Sequence, residues 1–325
     1  MLRVLEVTLP IFSLVFCGFF GQRWRLLPAN AVEGLNAFVF YFAVPAMLFR
    51  VIATQPPNSF SEPLFMLGYA AAGLGVYFFV RAAASPDPAT NDKSERTDGQ
   101  RDAIALAMTS AHGNLGYLGI PLALELGKQH APVMVMAILC DIICVILLST
   151  ALLELNRRRA TGAPVTSGLR LLGSLLIRLA KSPLISSIAI GLIWSLAQAP
   201  MPEVMDNFVR ILAGAAGPCA LFAIGASLGN RGIEFTRTVR ALLAIKLVAH
   251  PALAAVVLFG ILRVEPAVAA IGVLAASLPG ASNSFIIAQR YGTDTREISA
   301  SIVAGTFIGL ITVSAVIWVL GLRSG

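Results

Sequence analysis

Charge is scarce in this chain. Lys, Arg, Asp and Glu together make up 13% of 325 residues, histidine occurs three times, and mean hydropathy is +0.81. An ordinary soluble domain carries about 25% charged residues, so that class is excluded. Cysteine is rare too. Cys17, Cys140, Cys144 and Cys219 stand in apolar segments without metal-site spacing and read as small buried residues. No G-x-x-x-x-G-K-[ST] loop occurs, which argues against ATP coupling within the chain. The formal charge is +7, but the basic residues lie in short loops between apolar segments, as the positive-inside bias requires, and nucleic acid is not an expected partner.

What the chain has is apolar length. Ala103–Leu126, Val133–Leu153 and Ala267–Ala288 each reach or exceed the roughly 20 residues needed to cross a bilayer as a helix. The reading is an all-α integral membrane protein with ten transmembrane helices, over residues 4–22, 33–53, 63–84, 102–126, 131–155, 183–199, 204–229, 239–262, 266–289 and 297–321. Arg3, the first apolar run and Ala29-Asn30-Ala31 imitate a secretory signal. Arg23 and Arg25 intervene before the supposed cleavage site, so the first segment is read as a retained helix. Ser85–Arg101 reads as a polar mobile loop, and Glu125 and Glu154 as wet residues near span ends.

Lysine and arginine set the orientation. With the N-terminus outside, inward connections hold seventeen of them, in groups such as Arg81, Lys93, Arg96 and Arg101, or Arg157 to Arg159 with Arg170, Arg178 and Lys181. Outward positions hold six: Arg3, Arg50, Lys128, Arg210, Arg263 and Arg323. Both termini are therefore expected on the non-cytoplasmic side.

Five spans per half, joined by an inward linker, make the halves enter the membrane in opposite directions. Pro10, Ser13 and Gly18 recur at the same offsets as Pro183, Ser186 and Gly191, and Pro10 to Pro45 equals Pro183 to Pro218 at 35 residues. Pro121 and Pro279 are 158 apart rather than 173, a deficit matching the insert Ser85–Arg101. The expected organisation is a five-plus-five inverted repeat: 1–155, a cytoplasmic linker 156–182, and 183–325.

Two spans, the fourth and ninth, are broken, at Gly113-Asn114-Leu115-Gly116-Tyr117-Leu118-Gly119-Ile120-Pro121 and at Leu278-Pro279-Gly280-Ala281-Ser282-Asn283-Ser284. Freed backbone groups at membrane depth are tolerated only in buried or cavity-lining positions, and a matched pair of breaks marks a carrier's midplane site. Half-helix N-termini there suit an anion. The substrate-binding candidates are Gly113, Asn114, Tyr117, Pro121, Pro279, Ser282, Asn283 and Ser284; close helix packing is the competing reading. Ionisable residues inside spans add coupling or charge-balancing candidates: Asp141, Lys246, His250 and His112. Lys246 either snorkels toward Arg240 or supplies a counter-charge to Asp141 or to a substrate.

Asn114 to Pro121, Pro279 to Asn283 with Phe285, Ala288 and Tyr291-Gly292, and Lys246 to Pro251 together resemble the auxin efflux carrier family, across essentially the whole chain. The resemblance implies crossed fourth and ninth helices, a scaffold half, a mobile transport half and elevator-like alternating access. It makes Asn114 and Asn283 the substrate asparagines and Pro121 and Pro279 the crossing prolines. The short linker is similar to that of bacterial members, some named for malate or malonate.

The expected function is therefore secondary or facilitated transport of small organic anions at the bacterial inner membrane, with no enzymatic activity, cofactor or metal. Expected partners are the anion, the lipid bilayer, protons or sodium as coupling ion, and a second copy in a homodimer. The alternative is a cation/proton antiporter or sodium-coupled symporter on the same architecture.

Overall fold

A computed structural model describes residues 2–28, 30–86, 93–161, 173, 177, 180–228 and 234–322. Most of the 156–182 linker, with Arg170 and Arg178, lies outside the described residues, as do Arg231, Arg323 and part of the Ser85–Arg101 segment.

Helices follow the apolar runs. They are α1 (Leu2–Arg23), α2 (Ala31–Ala53), α3 (Pro63–Ala84), α4 (Lys93–Ala111), α5 (Leu115–Leu126), α6 (Lys128–Ala160), α7 (Pro183–Ala197), α8 (Glu203–Ser227), α9 (Arg237–Ile261), α10 (Pro266–Ser277), α11 (Ser282–Arg290) and α12 (Arg296–Val319). Among the described residues no strand forms, and six helices (α2, α3, α6, α8, α9 and α12) are long and apolar enough to cross a membrane. Three wide helical turns end two residues before a proline: Val39–Ala43 before Pro45, Leu115–Gly119 before Pro121, and Ile245–Ala249 before Pro251. A proline ring collides with the carbonyl four residues earlier, and widening the turn relieves the clash.

Three expectations are corrected. Residues 93–101 are not loop but the first turns of α4. This stretch lacks proline, and its polar groups find partners: Arg101 donates to the Tyr291 carbonyl at 3.3 Å and contacts Asp98, while the adjoining Asp102 accepts the Asp294 N–H at 3.0 Å. Glu154 is buried rather than wet, held by Arg157 at 2.8 Å and Arg158 at 2.9 Å. Of the cysteines only Cys140 is buried; Cys17 is exposed, because its helix turns that side away from its neighbours.

Helix pairing separates two groups. α1 lies along α8, and α2 lies along α7 and α8, where Arg50 and Asp206 pair at 2.8 Å. The remaining helices, α3 to α6 and α9 to α12, pack mainly with one another, and the larger core draws buried residues from both groups. Glycines make the first group tight. Gly18 sits against the Phe222 backbone of α8, and Gly225 against the Val15 backbone of α1. Gly191 sits against the Phe49 carbonyl of α2, which a Cβ would meet at 3.1 Å. The pairs Gly18–Phe222 and Gly191–Phe49 exchange under the same 173-residue shift that relates the prolines.

Gly225→Ala would drive a methyl to within 2.7 Å of the Val15 carbonyl carbon. It is expected to cost about 1–3 kcal/mol. Gly34→Ala, in α2 with nothing within 4 Å, is expected to stabilise by about 0.5–1 kcal/mol. Thermal unfolding of the two variants in detergent should move in opposite directions.

Candidate functional site

α4 ends at Ala111, and the chain turns sharply before α5. The Leu115 N–H donates to the Gly113 carbonyl at 2.8 Å, with Asn114 at φ −79° and ψ 59°, which is an inverse γ-turn centred on the asparagine. In the other break Pro279 has no N–H to continue a helix and pushes Leu278 into extended backbone, so α10 ends at Ser277 and α11 begins at Ser282. The two breaks meet. The Asn114 N–H donates to the Pro279 carbonyl at 2.9 Å, and Gly113 and Gly280 form an antiparallel bridge. Glycine keeps this approach close: a Cβ on Gly113 would lie 3.3 Å from the Ala275 carbonyl, and one on Gly280 would lie 3.3 Å from the Thr109 carbonyl, each tighter than an ordinary contact.

Behind the crossing, two buried ionisable residues take up further freed groups. One carboxylate oxygen of Asp141, from α6, accepts both the Gly113 N–H and Nδ1 of His112, each at 3.0 Å. An ionised carboxylate only accepts, so the His112 hydrogen is assigned to Nδ1. Lys246, from α9, donates to the Ala276 carbonyl near the end of α10 at 3.3 Å and stands 3.1 Å from His250 Nδ1. An ammonium only donates, so His250 Nδ1 is the acceptor. Asp141 is 2% exposed and Lys246 4%. Lys246 therefore does not snorkel, because the carbonyls at the end of α10 offer its charge a partner inside the protein. Tyr69 of α3 closes the cluster, its ring 6.4 Å from that of His250.

In front of the crossing lies a cavity of about 610 Å³ between the two helix groups. Its walls are mostly apolar, with Phe40, Ile138, Ile142, Ile224 and Phe285 among them. Of the expected substrate residues, Gly113, Asn114, Tyr117, Ser282 and Asn283 line it, and the N-terminal ends of α5 and α11 both reach it. Pro121, Pro279 and Ser284 do not line it. Pro121 packs under Gly217, Pro279 against Gly305 and Gly309, and Ser284 is fully buried. His112 lines the cavity while Asp141, Lys246 and His250 stand behind it. Asn36 and Tyr41 of α2, Ser227 of α8 and Thr306 of α12 are lining residues too. Asn36 was readable as a lone amide inside an apolar span; Thr306 carried no signal, because a threonine in a membrane helix usually bonds its own backbone, as this one does to the Ile302 carbonyl at 2.8 Å.

A family model described as "Membrane transport protein" matches residues 3–318. The chain belongs to the auxin efflux carrier family. It is a membrane transporter and not an enzyme. It is 29% identical to a "Putative malonate transporter" of Rhizobium meliloti over all of this chain and 98% of that protein. It is 26% identical to the "Uncharacterized transporter YfdV" of Escherichia coli K12, over 96% of this chain and 95% of that one. It is 22% identical to "Auxin efflux carrier component 8" of Arabidopsis thaliana, over 98% of each.

Asp141→Ala strands the Gly113 N–H and leaves Lys246 without an opposite charge, and is expected to cost about 3–5 kcal/mol. Adding Lys246→Met is expected to return part of that, with a coupling of about 1–3 kcal/mol in a double-mutant cycle. Reversible denaturation in detergent measures it. Additivity would mean that the two charges across Gly113 do not interact.

Proposed function

We propose that this auxin efflux carrier family member transports small organic anions, carboxylates above all, and holds them at the crossing of α4–α5 with α10–α11. The observation that carries the proposal is the convergence, on one mostly apolar cavity, of two asparagines and two half-helix N-termini. Helix N-termini present unpaired N–H groups and partial positive charge, which suit a carboxylate. Asn114 and Asn283 bind it through their amide N–H groups, with Gly113, Tyr117 and Ser282 shaping the site. Pro121, Pro279 and Ser284 hold the broken helices in place, since none of them lines the cavity. The name of the Rhizobium meliloti relative agrees with a carboxylate substrate.

The cavity's position between the two helix groups favours alternating access of the elevator type, the α1, α2, α7 and α8 group standing as scaffold while the other carries the crossing. The reading assigns ten spans in two oppositely inserted repeats, counting α4 with α5 and α10 with α11. The exchange of Gly18–Phe222 with Gly191–Phe49 supports it. Lysine and arginine counts favour both termini outside the cytoplasm, and the reading takes the membrane to be the bacterial inner membrane and the carrier to be a homodimer. A cation exchanger would need a carboxylate at the ion's position. Asp141 stands behind the cavity, and its Oδ2 already accepts from His112 and Gly113, which favours the anion.

Uptake of labelled monocarboxylates and dicarboxylates into proteoliposomes tests the proposal. Asn114→Ala and Asn283→Ala each remove hydrogen bonds to a charged group, worth about 1.5–3 kcal/mol, so flux at limiting substrate should fall about tenfold to a hundredfold. Wild-type rates in both variants would move the site elsewhere.

A further inference from the structure

The cavity that takes the anion has no fixed positive charge of its own. Among the described residues no Lys, Arg, Asp or Glu lines it, and His112 is the one lining side chain able to become cationic. Lys246, the nearest buried ammonium, is turned to the Ala276 carbonyl and His250 on the far side of the crossing. An anion enclosed by apolar walls without a compensating charge is costly to bury. Asparagine amides and helix ends offset part of that cost, and they leave the charge itself uncancelled.

His112 is arranged to cancel it. Its Nδ1 is tied to the Asp141 carboxylate at 3.0 Å, and the same carboxylate oxygen fixes the backbone of the break through the Gly113 N–H. The ring is thereby held in one orientation, and the described residues give Nε2 no hydrogen-bond partner. The titratable groups around it are few. Asp141 and the neighbouring Cys140 and Cys144 come from α6, Lys246 and His250 from α9, Tyr69 from α3, and Tyr41 and Tyr117 face it from the cavity wall. The formal charges of Asp141 and Lys246 cancel, so the empty site with neutral His112 carries no net charge. A monocarboxylate with one proton on His112 restores that neutrality.

We propose that the substrate anion binds together with one proton, taken from bulk water onto Nε2 of His112, with Asp141 as the positioning residue that holds Nδ1–H. This rests on the carboxylate reading above and adds the ion that accompanies the substrate. By linkage the sign is fixed: if binding takes up a proton, affinity rises as pH falls.

Calorimetry of malonate and propionate binding to the purified full chain, in buffers of different ionisation enthalpy, counts protons directly. Between about pH 6.5 and 8, above the ordinary acid range of carboxylates, the expected results are close to one proton taken up per anion bound and an affinity gain approaching tenfold per pH unit lowered. His112→Gln, which keeps a polar side chain and cannot become cationic, should bind with no proton uptake and a pH-independent Kd. Asp141→Asn, which removes the charge that holds Nδ1–H, should take up fewer protons per anion bound than the wild type while still binding the acid. Wild-type binding without proton uptake, with a flat Kd, overturns the inference and leaves the carboxylate reading standing; this measurement needs no variant to fold. Uptake that persists in His112→Gln overturns the assignment to His112. No binding of either acid, nor of any other carboxylate in a thermal-shift panel, overturns the carboxylate reading and this inference with it.

Discussion

Everything at the centre of this protein follows from one requirement. Backbone N–H and C=O groups released by a broken helix must find partners where water is excluded. Two breaks solve the problem jointly. Asn114 gives its N–H to Pro279, Gly113 gives its own to Asp141, and the Ala276 carbonyl near the end of α10 accepts from Lys246. Each buried charge is thus kept by the same groups it satisfies. A charge of either sign at this depth would be prohibitive alone, and a helix end alone would be unpaired.

This arrangement divides the crossing into two sides of different chemistry. Behind it the formal charges cancel in a buried cluster of Asp141, Lys246, His250 and Tyr69. In front of it, neutral donors and two helix N-termini face a cavity lined mainly by apolar side chains. His112 belongs to both sides, lining the cavity while bonded to Asp141. A carrier needs binding that is selective yet reversible, and among the described residues no lysine or arginine lines the cavity to fix a charge there.

Much of this was legible in the residues. Apolar runs announced the helices, and the interruptions at Asn114 and Asn283 announced two breaks that meet in the fold, because glycine, proline and asparagine have few reasons to stand together in a membrane helix. Other features were not legible. Residues 93–101 are helical and lead to Arg101 and Asp102, which meet the Tyr291–Asp294 turn nearly 200 residues away, whereas local polarity alone suggested a loop. Lys246 looked like a residue that would reach for the surface, since sequence gives no view of the carbonyl waiting at Ala276.

The sequence by itself determined what kind of solvent this chain lives in, where its helices must break and which polar residues accompany the breaks. Those are local matters, set by hydropathy, by the missing proline N–H and by glycine's missing Cβ. Only the tertiary structure decided which of those residues share a cavity. It set Asn114, Asn283, Ser282 and His112 in front of the crossing, and Pro121, Pro279 and Ser284 in its packing. It also joined His112, Gly113 and Asp141 at a single oxygen. The reason is that such selection depends on how separate helices cross, and crossing is settled by close backbone approach between segments more than 160 residues apart, which no local pattern records.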